Sequence, residues 1–337
     1  MKKLATIQKI TELNPIPKAD RIEVASVLGW KLVVKKGEFQ AGDLCVYIVI
    51  DTLLPPTSWN EFLHDKSDPE KKIRLRTVKM RGQISQGLAL PMSILGDRIT
   101  EFEEGDDVTQ ILGVEKYEKP IPTQLDGSMR CGFPGLIPKT DEILVQNVPG
   151  VMEEMRGKTF YGTVKIDGTS GTFANLDGEI HACSRNTSWL ESETNTYWQM
   201  VKKYNLKEVL LGAGDIAIQG EVAGPSIQKN TAGLSEQQLF VFDVYDIRNG
   251  CRYNYDQLVD FCSLHSLPMA PLICGGVFDY ESIDDLLKVA ESATYIENGK
   301  PAEGIVIRPE VETYSDAISG RLSFKVMNNK YLLKHGE

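Results

Sequence analysis

Apolar and polar positions alternate in short stretches through the first third of the chain. Ile22-Glu23-Val24-Ala25-Ser26-Val27-Leu28 alternates as far as Gly29, and Trp30-Lys31-Leu32-Val33-Val34-Lys35 follows it. Gly42-Asp43 introduces the apolar run Leu44-Cys45-Val46-Tyr47-Ile48-Val49-Ile50, and Gly87-Leu88-Ala89-Leu90-Pro91 closes the series. Such runs, punctuated by Gly, Pro and Asp, predict strands, and their spacing predicts a small closed barrel. Beyond residue 150 strand-like runs alternate with helical ones. Strands are predicted at 159–166, 171–175, 179–184, 215–222, 238–246, 304–309 and 322–327. Helical patterns lie at about 190–212, 254–266 and 282–294, the last led by Ser282 as a cap before Ile283-Asp284-Asp285. Between the two regions the chain is rich in Pro and Gly, as a linker or docking segment should be. The pattern thus predicts a barrel module over 1–112, a linker over 113–150 and a mixed domain over 151–337, an α+β chain.

Composition narrows the class. Apolar residues at 42% and charged residues at 25% leave room for a sizeable core. No run approaches the roughly 18 apolar residues of a membrane span. Met1-Lys2-Lys3-Leu4-Ala5-Thr6 is not followed by the apolar core of a signal peptide. The expectation is a cytoplasmic protein with no membrane partner. Cys45, Cys131, Cys183, Cys251, Cys262 and Cys274 form no Cys-x-x-Cys pair, and the four histidines show no ligand spacing. Buried free thiols are expected, rather than a zinc site or a disulfide framework.

A net charge of −10 argues against a general nucleic-acid coat protein but leaves local basic patches open. One stretch, Lys71-Lys72-Ile73-Arg74-Leu75-Arg76-Thr77-Val78-Lys79-Met80-Arg81, has no acidic residue. As a single strand it would put Lys72, Arg74 and Arg76 on one face and Ile73 and Leu75 on the other. That face is either a nucleic-acid contact or merely solvated.

The most informative feature is an ordered set of short segments. Thr163-Val164-Lys165-Ile166-Asp167-Gly168-Thr169-Ser170 is followed by Gly220-Glu221-Val222-Ala223-Gly224 and Phe240-Val241-Phe242-Asp243. Glu303-Gly304-Ile305-Val306-Ile307 and Phe324-Lys325-Val326-Met327 complete the set. Lys-x-Asp-Gly alone is a weak signal, but the ordered set resembles the nucleotidyltransferase signature of ATP-dependent polynucleotide ligases and RNA capping enzymes. In addition, Pro15-Ile16-Pro17-Lys18-Ala19-Asp20-Arg21-Ile22 and Lys35-Lys36-Gly37-Glu38-Phe39 resemble an OB-type module fused ahead of certain RNA ligases. The resemblance implies an N-terminal OB-type β-barrel, then an α+β nucleotidyltransferase (ligase) domain with antiparallel sheets.

The chemistry suits these residue types. A lysine nucleophile must be neutral, yet at a reference pKa of about 10.4 roughly one molecule in a thousand is neutral near pH 7.5, a handicap of ~4 kcal/mol. Burial, a nearby cation or a bound metal would lower the pKa of Lys165 and remove much of it. The resemblance implies that Lys165 attacks the ATP α-phosphate, with Thr163, Val164, Ile166 and Arg185 in the nucleotide pocket. It further implies that Glu221 contacts the ribose and that Asp167, Glu221 and Glu303 hold Mn2+ or Mg2+, in part through waters. Phe242 falls where the family stacks an aromatic on adenine, although a core phenylalanine reads the same. Lys325 would stabilise charge growing on the α-phosphate.

Two departures bear on the class. Ser170 stands where DNA ligases carry an arginine, which favours RNA ligase. Met327 stands where some RNA ligases carry a second lysine, and Lys330 is the nearest substitute. DNA ligases and capping enzymes normally carry an OB domain after the core, and the dozen residues beyond Lys325 leave no room for one. The expectation is an RNA ligase using ATP and Mn2+ or Mg2+, sealing RNA at nicks in duplexes. A non-catalytic RNA-binding protein on a decayed core is the rival of another class, and intact Lys165, Glu221, Glu303 and Lys325 argue against it.

Overall fold

The computed structural model describes residues 3–64, 68, 71–117 and 128–335. They divide into two compact units. Unit 1 holds the residues up to 117 with 146–149 and 332–335, and unit 2 holds 128–145 and 150–331. The stretch read as a linker is therefore shared: 128–145 group with unit 2, while 146–149 join unit 1, where Trp30 Nε1 donates to Asn147 Oδ1 at 2.7 Å. The part of that stretch at 118–127 lies outside the described residues.

Unit 1 contains β1 (Ala5–Pro15), β2 (Ile22–Val27), β3 (Trp30–Lys35), β4 (Leu44–Ile48) and β5 (Thr52–Leu54). β6 (Ile73–Arg74), β7 (Val78–Met80), β8 (Gln83–Ser85), β9 (Leu88–Pro91) and β10 (Glu115–Lys116) follow. A five-stranded sheet has the order β3-β2-β1-β4-β9, and β10-β5-β6 form a second, smaller sheet. Trp30, Leu32, Ile7, Ile10, Tyr47 and Ile48 fill the core. The longest strand, β1, is not among those the alternation predicts, and a register shift between Ile10 and Glu12 breaks its period. The sheet is curled but is not closed by strand pairing. The Gln86 N–H on the Lys31 carbonyl (3.0 Å) and the Val33 N–H on Ser85 Oγ (3.0 Å) tie its two edges, so the OB-like unit is a half-barrel.

Unit 2 is built on two largely antiparallel sheets. Its strands begin with β11 (Met129–Gly132), β12 (Ile143–Leu144), β13 (Thr159–Lys165), β14 (Thr169–Leu176) and β15 (Glu179–Cys183). They continue with β16 (Thr187–Trp189), β17 (Ile216–Ala223), β18 (Gln238–Asp246), β19 (Cys251–Arg252) and β20 (Leu272–Val277). β21 (Gly304–Pro309), β22 (Tyr314–Ser315), β23 (Gly320–Arg321) and β24 (Phe324–Met327) complete the set. One sheet runs β11-β16-β15-β14-β17-β18-β19 and the other β12-β24-β21-β13-β20. The only parallel pair among the described residues of these sheets is β12 with β24.

The helices are α1 (Val151–Met155), α2 (Thr196–Lys203), α3 (Leu206–Ala213), α4 (Tyr255–Leu264), α5 (Ile283–Ser292) and α6 (Asn329–His335). The pattern at 190–212 becomes two helices, because Asn205 takes a left-handed φ of 50° between them. Residues of α2, α3 and α4 bury Trp198, Leu210 and Phe261 against Phe173, Ile218 and Val241 of the longer sheet. Ser282 caps α5 as expected, accepting the Asp285 N–H at 3.3 Å. All six cysteines are free. Cys45, Cys183 and Cys262 are buried, whereas Cys131 and Cys251 are exposed, contrary to the expectation that all are buried.

Candidate active site

β13 lies between β21 and β20, so the strand that ends in Lys165 is fixed on both sides. Lys165 pairs with Gly304 and Thr163 with Val306 on β21, and those residues pair in turn with Met327 and Lys325 on β24. Directly opposed residues of a sheet share a face, and so do positions two apart. Lys165, Thr163 and Lys325 therefore stand on one face of the sheet, although 160 positions separate the two lysines. Val164 alternates to the other face, where it is buried, and Ile166 is buried just beyond the strand. Their side chains pack the core.

Glu303 immediately precedes Gly304, and this puts its carboxylate beside the lysine: Lys165 Nζ to Glu303 Oε2 is 2.7 Å, with both side chains largely covered. Burial works to lower the pKa of Lys165, as the sequence led one to expect. The carboxylates of Glu303 and Glu221 outweigh it, and the net direction is upward. Glu221, between Ser170 and Phe240 in the adjoining sheet, is pushed up to about 8 by burial, with the charges of Glu303 and Asp167 adding to it against Lys165. The pocket is thus short of positive charge.

Two motif glycines are explained by close approach. A Cβ at position 168 would stand 2.4 Å from the Val222 carbonyl oxygen and 2.9 Å from Glu221 Cγ. One at 304 would stand 2.3 Å from the Val326 carbonyl oxygen. Gly168→Ala is expected to push the Asp167 turn away from Glu221 at a cost of about 1–3 kcal/mol, the usual scale of overpacking. A thermal melt and the rate of lysine modification would both fall, and an unchanged melt would remove the steric argument.

Residues that no sequence signal singled out hold the carboxylates. The Tyr295 hydroxyl accepts the backbone N–H of Asp167 (3.1 Å) and of Glu303 (3.4 Å). Thr231 Oγ1 donates to Asp167 Oδ2 at 2.8 Å. Asn298 Nδ2 donates to the carbonyls of Thr231 (3.0 Å) and Ala232 (2.7 Å), which joins the two loops. Among the described residues no three His, Cys, Asp or Glu side chains converge to ligate one ion directly. Asp167, Glu221 and Glu303 are electrostatically coupled oxygen donors, a set whose chemistry would suit a hard divalent cation.

Phe242 is the extra residue of a β-bulge. Gln219 pairs with Asp243 and Gly220 with Val241, which leaves Phe242 without an opposite number on β17. Bulges re-aim a side chain. The ring is half-buried with the Arg308 guanidinium 5.5 Å from its centroid. Arg308, opposite Tyr161, belongs to the Lys165 face and is anchored by Glu142 at 2.6 Å. Arg185 is exposed, and its partner is Asp141 at 2.8 Å, so the structure does not bring it onto the lysine. Lys330 is exposed on α6 and lies 3.7 Å from Glu291.

In unit 1 the basic stretch is not one strand. β6 is two residues long, with Leu75 and Thr77 buried after it. Lys72 pairs with Glu115 at 2.7 Å. Arg74 is largely covered, pairs with Asp51 at 2.7 Å and lies 4.1 Å over the Tyr117 ring. Arg76 is exposed.

A largely covered lysine among carboxylates on a sheet face, in a two-sheet core, is the arrangement expected of a covalent nucleotidyltransferase of the ligase type. Comparison with known proteins narrows this. The RNA ligase family model matches residues 158–327 and an OB-fold domain model matches residues 4–92. The solved structure of a Naegleria gruberi RNA ligase with pyrophosphate is 34% identical, covers 99% of each chain and superposes with a TM-score of 0.89. A variant of that ligase with AMP and Mn gives 34%, 99% of each chain and 0.90. Another variant, with ATP and Mn, gives 34%, 100% of each chain and 0.89. No curated protein gives a significant match. The chain belongs to the RNA ligase family, with an OB-like unit ahead of the ligase core. Among the described residues no helix is long and apolar enough to cross a membrane.

Proposed function

We propose that this chain joins a 3′-hydroxyl RNA end to a 5′-phosphate end, using ATP and a divalent cation, at nicks in duplexes. The observation that carries the reading is Lys165 held 2.7 Å from Glu303 on the sheet face it shares with Lys325. In the first step the neutral Lys165 amine attacks the ATP α-phosphorus. A P–N bond forms, the bond to pyrophosphate breaks, and the amine proton leaves. The AMP then moves to the RNA 5′-phosphate with cleavage of the P–N bond. Finally the 3′-hydroxyl attacks the activated phosphorus and expels AMP.

The chain's own residues account for binding and charge. Phe242 presents a ring face for adenine, Glu221 reaches the ribose, and Lys325 stabilises charge on the α-phosphate. Asp167, Glu221 and Glu303 hold Mn2+ or Mg2+, which when bound offsets their charge and so favours the neutral amine. The solved structures of Naegleria ligase variants with Mn and nucleotide support that choice. Incubation with α-labelled ATP and Mn2+, followed by denaturing electrophoresis, is expected to leave the label on the protein. A 5′-phosphorylated nicked RNA duplex should then be sealed at the expense of that label. No label, or label only from GTP, would overturn the reading.

A further inference from the structure

The cations of the acid-free stretch fall into two groups. Lys72 and Arg74 are already compensated by Glu115 and Asp51. Arg76, Lys79 and Arg81 are exposed and paired with no carboxylate among the described residues. Lys79 and Arg81 lie on the hairpin of β7 and β8, in which Val78 pairs with Ser85, Lys79 with Ile84 and Met80 with Gln83.

Every residue of β7 is exposed, so this strand adds nothing to the core, whereas β8 is tied to β3 through Ser85. Its two-residue turn has positive φ at both Arg81 (50°) and Gly82 (85°), the geometry that matches the twist of a tight hairpin. A left-handed arginine is uncommon, and here it places a guanidinium at the tip. Alternation along β7 separates the chemistry. Lys79 points to one face, while Val78 (44% exposed) and Met80 (38% exposed) share the other. Residues 71–86 carry six positive and no negative side chains, within a chain whose net charge is −10.

We propose that this hairpin is an RNA-contacting arm, resting on the RNA ligase reading above. Arg76, Lys79 and Arg81 neutralise phosphates along one strand, and the Val78–Met80 face lies against sugar or base. The contact is independent of sequence and sensitive to salt. It reassigns the RNA contacts from the Lys72–Arg74–Arg76 face to the ribbon that follows it.

The experiment uses the full chain and a 5′-phosphorylated nicked RNA duplex. The triple variant Arg76→Ala/Lys79→Ala/Arg81→Ala is compared with the wild type and with Lys72→Ala/Arg74→Ala. Binding is measured from low to moderate salt. The hairpin variant should bind roughly tenfold or more weakly, and its log–log salt slope should shrink by about one for each phosphate no longer neutralised. The Lys72/Arg74 variant should change less. Self-labelling by ATP needs no RNA and reports that unit 2 is intact, while an unchanged circular-dichroism spectrum and thermal melt show that unit 1 of the hairpin variant is folded. Should the triple variant fail to fold, Arg81→Glu alone must weaken binding and flatten the slope. A wild type that cannot be labelled by ATP defeats the ligase reading itself. A labelled, folded hairpin variant with wild-type affinity and slope overturns the arm.

Discussion

Lys165→Ala is expected to accept no covalent AMP at all, because it removes the amine that stands at the end of β13 beside Glu303. Lys165→Arg should fail equally, since a guanidinium stays protonated and cannot attack phosphorus. The later steps make a distinguishing control. A nicked duplex supplied with its 5′-phosphate already adenylylated needs no nucleophilic lysine, so Lys165→Ala should still seal it. Failure on both substrates would point to a damaged fold, and label on Lys165→Ala would remove the lysine from its role. The pH dependence follows from the same geometry. Glu303 and Glu221 hold the pKa of Lys165 above its ordinary value, so the ammonium form persists through the neutral range. Below its pKa the neutral fraction rises tenfold per pH unit. The single-turnover labelling rate should therefore climb with a slope of about one between roughly pH 6 and 8. A flat profile there would mean that the carboxylates no longer govern the lysine when it reacts.

The sequence made the strands of the core legible because their apolar runs are bounded by turns and end in chemically distinctive residues. β13, β17, β18, β21 and β24 all carry such a residue at or next to a strand end or a bulge. What the motifs could not convey is how they meet. That Lys165 and Lys325 share a face follows from the pairing of β21 with both neighbours, which is a register and not a pattern. Tyr295, Thr231 and Asn298 were invisible for a related reason. They sit in loops, bond mainly to backbone or to one carboxylate oxygen, and obey no period. Nor does the pattern convey how the edges of unit 1 meet. Even strand spacing suggests a closed barrel, but closure depends on whether the first and last strands align, and here Ser85 and Gln86 make the join. The basic stretch misled through its neighbours: Asp51 and Glu115, remote in sequence, neutralise two of its three chosen cations. Charge on a strand says little until its partners are known.

Lys325→Ala is expected to slow lysine adenylylation by 10²-fold or more, the scale of removing one charge-stabilising donor. The row Thr163–Val306–Lys325 sets the distance over which it acts. Two strand spacings put its backbone roughly 10 Å from β13, on the sheet face it shares with Lys165. Met327 lies on the neighbouring row, opposite Gly304 and hence in line with Lys165, and it is buried. An apolar side chain thus fills that position, and on the proposed mechanism Lys325 would meet the α-phosphate without a second cation from Met327. Lys330 is not expected to take over, its exposed ammonium lying beside Glu291. Single-turnover labelling at saturating ATP and Mn2+ separates the two. Lys330→Ala should remain within about twofold of wild type, the surface-pair scale of under 1 kcal/mol. Lys325→Arg should recover part of the loss by restoring charge without the point geometry of an ammonium. Equal defects in Lys325→Ala and Lys330→Ala would mean that both cations reach the phosphate, and a wild-type rate in Lys325→Ala would place its stabilisation elsewhere.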